Sequence, residues 1–193
     1  MKYIINTIFL LVLQQNFAQC NFEIIDYKGS KINALPREMF VLKENHKALT
    51  GDYVLFSLFT DGVTKRLITT FSRVARRQFL EFCFNKTSFL RFTFKDGTFV
   101  KLLYEGEELC KKQEKHPSRK KFNTLKIETQ FKISQNAFLR LKEEKVKTLT
   151  IVGKGGVSFT YEAVKKISAD ASLNETSYPI SFFQNKLPCL EFD

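Results

Sequence analysis

The feature that most constrains the fold is a run of alternating apolar residues around an Asp-Gly pair. In "FLRFTFKDGTFVKLLY" (Phe89–Tyr104), large apolar side chains recur at every second position on both sides of Asp96 and Gly97. Such alternation is typical of a β-strand with one buried face, and glycine after aspartate allows the positive φ of a tight hairpin loop. The stretch therefore predicts an antiparallel β-hairpin.

The alternation also distinguishes two registers for this hairpin. A two-residue loop would place charged Lys101 on the same face as Phe92, whereas a three-residue loop with a bulge at Gly97 separates apolar from polar residues. We predict the bulged register, because a one-residue slip would move every side chain to the wrong face. The predicted inner face then consists of Leu90, Phe92, Phe94, Thr98, Val100, Leu102 and Tyr104. The outer face presents a mixed apolar and basic surface for a partner, formed by Phe89, Arg91, Phe99 and Lys101.

Two further segments have the composition of hairpins. "YVLFSLFTDGVTKRLI" (Tyr53–Ile68) repeats the Asp-Gly plan, but neither register separates its apolar residues, which predicts strands covered on both faces. Lys147–Val164 turns through a glycine-rich loop at Gly153–Gly156. Other predicted strands are Met39–Leu42, within the loop Gly29–Lys47, and Leu80–Asn85, Thr124–Ile133 and Tyr178–Phe183, the last at a sheet edge because of Pro179.

One helix is expected after the strand that ends at Ile133. Ser134 is a suitable N-cap, and an apolar stripe at helical spacing follows it, formed by Ala137, Phe138 and Leu141. A second short helix is considered at Ser72–Phe79. The predicted fold class is therefore α+β, an antiparallel sheet built from several hairpins with one or two short helices packed on it. Residues 20–110 and 124–193 are expected to form one compact domain, joined by a basic linker or loop at 111–123.

The first nineteen residues have the pattern of an export signal. Lys2 precedes the apolar run Tyr3–Leu13, which is shorter than the roughly 20 residues that a membrane-spanning helix needs. Residues 1–19 are therefore predicted to be a signal peptide, and the chain is expected to be periplasmic, surface-located or secreted. Cys20 follows directly, as a lipid anchor, a free thiol or half of a disulfide. Bulky Gln19 before it disfavours acylation, and membrane association is expected only if Cys20 is acylated.

The "FAQ" ending of this segment, the body rich in Lys, Phe, Ile and Asn, and the late "KLPCLEFD" (Lys186–Asp193) resemble exported β-rich proteins of Bacteroidota. The resemblance is one of amino-acid composition over most of the chain and contains no specific motif. It implies export and a β-rich fold, and it implies no activity.

Four cysteines are present at positions 20, 83, 110 and 189. Export exposes them to oxidising conditions, in which thiols pair as disulfides, and four thiols allow three connectivities. We predict a bridge between Cys110 and Cys189, because each follows an apolar segment where chain ends tend to meet. The spacing contains no Cys-x-x-Cys, which argues against a redox motif or a zinc knuckle.

The net charge is +11, and much of it lies in "KKQEKHPSRKK" (Lys111–Lys121), which has six Lys or Arg residues and one Glu. This segment is either a solvated connection or a contact for an anionic polymer, which would release counterions on binding. The candidate contact residues are Lys111, Lys112, Arg119, Lys120 and Lys121. No aromatic residue interrupts the run to stack on bases, and with export this argues against a nucleic-acid partner.

Catalytic motifs are weak in this sequence. His46 and His116 lie in polar surroundings, the glycines at 153–156 lack the Walker pattern, and the acidic runs at 105–109 and 142–145 fit solvated surfaces. We therefore expect no enzyme, no cofactor and no metal. The leading hypothesis is an exported, non-catalytic domain for binding or for envelope or surface assembly, with an envelope protein or an anionic glycan as partner. The alternative is a β-cup carrier of a lipid or another apolar ligand, which the helix after Ile133 disfavours because it interrupts the meander.

Overall fold

Antiparallel sheets account for most of the computed structural model, which describes residues 20–27, 29–45, 50–79, 81–118, 120–168 and 176–191. Its strands are β1 (Glu23–Tyr27), β2 (Ser30–Ala34), β3 (Glu38–Asn45), β4 (Thr50–Thr60), β5 (Lys65–Ala75), β6 (Phe82–Phe84), β7 (Phe89–Phe94), β8 (Phe99–Leu103), β9 (Leu109–Lys111), β10 (Glu114–Lys115), β11 (Asn123–Lys132), β12 (Val146–Val152) and β13 (Ser158–Glu162). The helices are α1 (Gln135–Glu143) and α2 (Phe182–Lys186), with 3-10 turns at Lys154–Gly156, Pro179–Ser181 and Leu187–Leu190. The β-rich α+β class is confirmed.

The strands form two large sheets and one small ribbon. The larger sheet has the order β1-β2-β4-β5-β11-β10, and β3 pairs with β4 as well. The four-stranded sheet has the order β13-β12-β7-β8, and β6 pairs with β9. Because β11 pairs with β5 and β12 pairs with β7, strands from before and after the basic segment share both large sheets.

Phenylalanine rings fill the space between the two large sheets. Phe56 of β4 lies 5.9 Å from Phe92 of β7, and Phe71 of β5 lies 5.2 Å from Phe159 of β13, measured between ring centroids. Each fully buried phenylalanine contributes about 2–3 kcal/mol relative to an exposed one. The largest side chains of this core with less than 2% exposure include Phe40, Phe56, Phe71, Phe84, Phe92, Phe94, Phe131 and Phe183.

A second, smaller cluster covers the opposite face of the larger sheet. Tyr27, Ala34, Phe59 and Ile68 are buried there, under the β1–β2 hairpin. Phe59 therefore faces this cluster, while its neighbour Leu58 faces the main core. The expectation that Tyr53–Ile68 is covered on both faces is confirmed at this end of the hairpin.

The β7–β8 hairpin has the bulged register. Leu90 lies opposite Leu102 and Phe92 lies opposite Val100, and these four side chains are buried. Gly97 adopts φ +85°, the left-handed region that glycine occupies without strain. The alternation of apolar residues therefore predicted this pairing correctly, and the predicted strands Leu80–Asn85 and Thr124–Ile133 overlap β6 and β11.

The helix predicted after Ile133 is confirmed as α1. Ser134 Oγ accepts a hydrogen bond from Ala137 N at 3.3 Å, as an N-cap does. The buried residues of the helix are Ala137, Phe138 and Leu141, the predicted stripe.

Two predicted elements are wrong. Ser72–Ala75 continues β5 where a helix was considered, because β4 and β11 flank it and satisfy its backbone on both sides. Tyr178–Phe183, predicted to be an edge strand, forms a 3-10 turn and the start of α2. Pro179 occupies the first turn, where its fixed φ and missing N–H are tolerated, and the rings of Phe182 and Phe183 enter the core.

The basic segment is not a plain linker. Lys111 ends β9, Glu114 and Lys115 form β10, and β10 pairs with Thr124 and Asn123 at the start of β11. The strand Met39–Leu42 is confirmed within β3, but β2 occupies part of the loop predicted before it. The predicted signal peptide and Arg119 lie outside the described residues.

The predicted Cys110–Cys189 bridge is wrong. The structure contains disulfides between Cys20 and Cys189, with Cα atoms 5.5 Å apart, and between Cys83 and Cys110. Cys83 and Cys110 are direct partners in the β6–β9 ribbon, so strand pairing brings their sulfurs together. Cys189 is instead bonded to Cys20, three positions before the first residue of β1. The position of a cysteine after an apolar segment, on which the prediction rested, therefore did not indicate its disulfide partner.

Candidate functional site

The four residues predicted to form a partner surface lie together on the outer face of the four-stranded sheet. Arg91 lies directly opposite Lys101, and Phe89 and Phe99 occupy alternate positions on the same face. Their strands are β7 and the edge strand β8. We call this set, together with Leu103, the outer face.

Cations and aromatic rings are interleaved on the outer face. Lys101 Nζ lies 4.4 Å from the Phe89 ring centroid and 5.6 Å from that of Phe99, and Arg91 Cζ lies 5.8 Å from Phe99. These distances are within the range of cation–π attraction, which fixes the long side chains over the rings. The exposed fractions are 49% for Phe99 and 56% for Leu103. The β8 side of this face is therefore open to solvent.

Threonines on the neighbouring strands β12 and β13 continue this face of the sheet. Arg91 Nη2 donates to Thr150 Oγ1 at 3.4 Å, and Thr150 Oγ1 lies 3.1 Å from Thr160 Oγ1. The helix α1 does not cover the rings. Its Arg140 instead reaches the β7–β8 turn, where it donates to Thr98 Oγ1 at 2.6 Å.

The predicted polymer contacts lie on the β9–β11 connection. Lys111, Lys112, Lys120 and Lys121 are all exposed, and Arg119 lies outside the described residues. This connection is anchored to the end of β5, because Phe79 N donates to Gln113 Oε1 at 2.6 Å and Asn123 Nδ2 donates to the Arg77 carbonyl at 3.1 Å. The connection that carries these lysines therefore contacts the segment after β5 that holds Arg76 and Arg77.

A partly buried ion pair that sequence reasoning missed lies where β13 of the four-stranded sheet meets β4 and β5 of the larger sheet. Arg73 on β5 donates from Nε to Asp52 Oδ1 at 2.6 Å and from Nη2 to Asp52 Oδ2 at 2.7 Å. Tyr161, from β13 of the other sheet, donates to Asp52 Oδ2 at 3.0 Å. The guanidinium carbon of Arg73 lies 4.1 Å from the Phe159 ring centroid. These contacts connect the two sheets through polar groups at the rim of the core.

The electrostatics of this group stabilise its present protonation states. Hydrogen bonding to Asp52 raises the pKa of Arg73 further above its already high value. Burial raises the pKa of Tyr161, and the negative charge of Asp52 raises it further. Arg73 therefore stays charged and Tyr161 stays protonated, so that the tyrosine remains a donor.

Beside this ion pair is a cleft of about 400 Å³. Its main lining residues are Arg73, Arg77, Phe79, Leu125, Val157 and Phe159. We call it the Arg77 cleft. A signal for it existed in the sequence, namely two arginines followed by an aromatic residue in "RRQF" (Arg76–Phe79), but the helix considered there gave no reason to connect them with β13.

The other chemical candidates are structural. Glu81 places a carboxylate oxygen within 4.8 Å of two sulfurs, but these belong to the Cys83–Cys110 disulfide and lack the thiolate that zinc requires. The glycines at 153–156 form the turn that was predicted. His116 Nδ1 accepts a hydrogen bond from Ser118 N at 3.2 Å, and His46 lies outside the described residues.

The acids at 105–109 and 142–145 include members of ion pairs. Glu108 Oε1 lies 2.7 Å from Lys154 Nζ, and Glu144 pairs with Arg140.

Comparison of the chain with protein-family models, with curated proteins and with solved structures finds no match in any of the three. In the part of the chain that the structure describes, no helix has the length and apolar composition needed to cross a membrane.

Proposed function

We propose that this protein is an exported binding domain whose outer face docks a partner protein of the cell envelope or surface. The observation that carries the proposal is the exposure of Phe99 and Leu103 on either side of Lys101, on an edge strand. Aromatic residues and arginine are enriched in the centres of protein interfaces, and exposed apolar patches rimmed by charge mark such surfaces. The partner would supply an apolar patch with acidic groups placed toward Lys101 and Arg91.

The compartment follows in part from the disulfides. Two disulfides indicate an oxidising environment, where such bonds form and persist. Export by a leader that is cleaved before Cys20 accounts for them, because cleavage after Cys20 would remove half of one bridge. The sulfur of Cys20 is committed to Cys189, so a lipid thioether on the same atom is incompatible with this state. A lipid anchor at Cys20 is therefore not part of the proposal.

A photo-crosslinking experiment in producing cells tests the outer face. A benzoylphenylalanine at position 99 should give a discrete crosslinked species, and Lys101→Glu should remove it. The matched control carries the same probe at Val63, which is 93% exposed in the β4–β5 loop. No product at position 99, or the same products from both positions, would contradict the proposal.

A second candidate function is contact with an anionic polymer such as an envelope glycan. The exposure of Lys111, Lys112, Lys120 and Lys121 on one anchored connection favours it. Replacing these four lysines with serine should lower the salt concentration that elutes the protein from heparin, because fewer counterions are released. The control replaces four exposed lysines elsewhere with serine: Lys31, Lys86, Lys95 and Lys165. Equal shifts in the two variants would show only the effect of net charge.

The alternative of a β-cup carrier has less support. The space between the sheets is filled by fully buried rings such as Phe56, Phe92 and Phe131, so a carrier would have to exchange these contacts for its ligand. Co-purified lipid in a native mass spectrum would restore this alternative.

A further inference from the structure

We propose that the Arg77 cleft binds a small amphipathic anion, a compound with an apolar ring or short acyl chain and one carboxylate or sulfonate group. This site is separate from the outer face and from the exposed lysines. The proposal rests on three features of the cleft: its apolar walls, the positions of its two guanidinium groups, and its size.

The walls of the cleft are largely apolar. Phe82 and Leu125 are both 2% exposed and belong to the core at its base. Phe79 and Phe159 are half-buried beside it, and Val157 is 50% exposed at its rim. An apolar ring or chain placed here would cover these side chains and remove their surface from water.

The Arg77 guanidinium gives the cleft a preference for anions, and Arg73 contributes a further N–H donor. Arg73 uses Nε and Nη2 for Asp52, which neutralises its charge and leaves Nη1 without a hydrogen-bond partner among the described residues. The Arg77 guanidinium forms no hydrogen bond or ion pair with a described side chain, although its carbonyl accepts from Asn123. A ligand carboxylate can therefore pair with Arg77 without displacing a protein group.

One acid also lines the cleft. Glu81 extends a carboxylate oxygen to within 4.8 Å of the Cys83 and Cys110 sulfurs, on the disulfide side of the rim. The charged head of a ligand would lie away from this carboxylate, toward the Arg73 and Arg77 guanidinium groups that also line the cleft. The net charge of +11 attracts anions to the whole molecule, and the cleft would concentrate those that carry an apolar part.

The size of the cleft fits a small molecule. Its volume of about 400 Å³ lies in the range of about 300–1,000 Å³ typical of ligand pockets. Its mixture of apolar walls and a few polar groups is also that of a ligand site. A bare ion would leave the apolar walls wet, and a neutral hydrocarbon would leave Arg77 without a partner.

The test uses the full disulfide-bonded chain and the fluorescent aromatic sulfonate 8-anilinonaphthalene-1-sulfonate. We expect saturable binding with an increase in fluorescence at neutral pH. Arg77→Gln should weaken binding about tenfold, the size expected for one charge-assisted hydrogen bond. Val157→Asp should weaken it by a similar factor, because it places a like charge at the rim. The matched controls are Arg76→Gln, whose guanidinium lies over Phe122 instead, and Val63→Asp in a distant loop.

Competition defines the ligand class. Octanoate should displace the probe, whereas octanol and inorganic phosphate at the same concentration should not. Displacement by phosphate alone would reduce the site to a simple basic patch, and equal displacement by octanol and octanoate would remove the role of Arg77. Equal weakening by Arg76→Gln and Arg77→Gln would also overturn the proposal. Because crosslinking at position 99 does not involve these residues, a failure here leaves the outer-face proposal intact, and the reverse also holds.

Discussion

The contact between Asp52 and Arg73 is the residue-scale feature with the largest expected energetic effect. Their side chains are only 13% and 22% exposed, so loss of one charge leaves the other poorly solvated. Asp52→Asn should lower the free energy of unfolding by about 2 kcal/mol in urea titrations. Glu108→Gln removes a carboxylate from a pair whose side chains are about half exposed, and it should cost less than about 0.5 kcal/mol. Similar losses in both variants would contradict the role given to burial.

This pair could not be predicted from the sequence for a physical reason. Asp52 and Arg73 lie opposite each other in β4 and β5, but the alternation in this hairpin is obscured because both faces are covered. The register therefore had no single apolar face to fix it. In contrast, Phe89, Arg91, Phe99 and Lys101 were correctly placed on one face, since the residues that β7 and β8 place on the opposite face are all apolar.

The buried side chain of Tyr27 predicts that the free energy of unfolding changes with pH in the alkaline range. Desolvation raises the pKa of Tyr27 from 10.0 to about 12. A raised folded-state pKa means that the contribution is complete below about pH 10 and is lost as the pH rises toward about 12. Tyr27→Phe removes the titrating group. Between pH 8 and pH 11 the wild type should therefore lose about 1 kcal/mol of unfolding free energy relative to Tyr27→Phe. Tyr178→Phe, at a tyrosine that is 48% exposed, is the control, and a shift of equal size there would contradict burial as the cause.

At the scale of elements, the β7–β8 turn depends on the backbone conformation of one residue. Gly97 has φ +85°, and a Cβ built there would meet no atom within 4 Å, so a substitution is strained by conformation alone. Gly97→Ala should lower the free energy of unfolding by about 1 kcal/mol. Gly97→Asn should cost less, because asparagine tolerates the left-handed region better. Thermal unfolding of the two variants tests this, and an equal cost for both would contradict the explanation.

Elements with a single dominant period were predicted correctly together with their buried faces. β7, β8, β11 and α1 each bury one clean face or stripe, which their residue patterns display. The errors at 72–79 and 178–183 arose where tertiary contacts decide between helix and strand. Neighbouring strands on both sides extend β5 through Arg73, and burial of Phe182 and Phe183 holds the late segment in helical turns. Local propensity carries too little energy to oppose such contacts.

At the scale of the whole molecule, the two disulfides constrain very different lengths of chain. Cys83 and Cys110 are separated by 27 residues, whereas Cys20 and Cys189 are separated by 169 and connect the start of the described chain to its last helical turn. On the chain-entropy model, the shorter loop corresponds to about 3.5 kcal/mol and the longer one to about 5 kcal/mol. Loss of the Cys20–Cys189 bridge should therefore lower the free energy of unfolding more than loss of the Cys83–Cys110 bridge.

Paired serine variants measure this difference without leaving an odd thiol. Cys20→Ser with Cys189→Ser should lower the free energy of unfolding by more than Cys83→Ser with Cys110→Ser, since the second pair remains opposite in a hydrogen-bonded ribbon. Peptide mapping of the unreduced protein should find Cys20 joined to Cys189. A peptide joining Cys110 to Cys189 would require β6 and β9 to separate, and it would contradict both the ribbon and the order of stabilities. Equal losses of stability in the two double variants would show that loop length does not determine how much each bridge contributes to the free energy of unfolding. Packing around the buried Cys189 would then have to explain the contribution of the Cys20–Cys189 bridge.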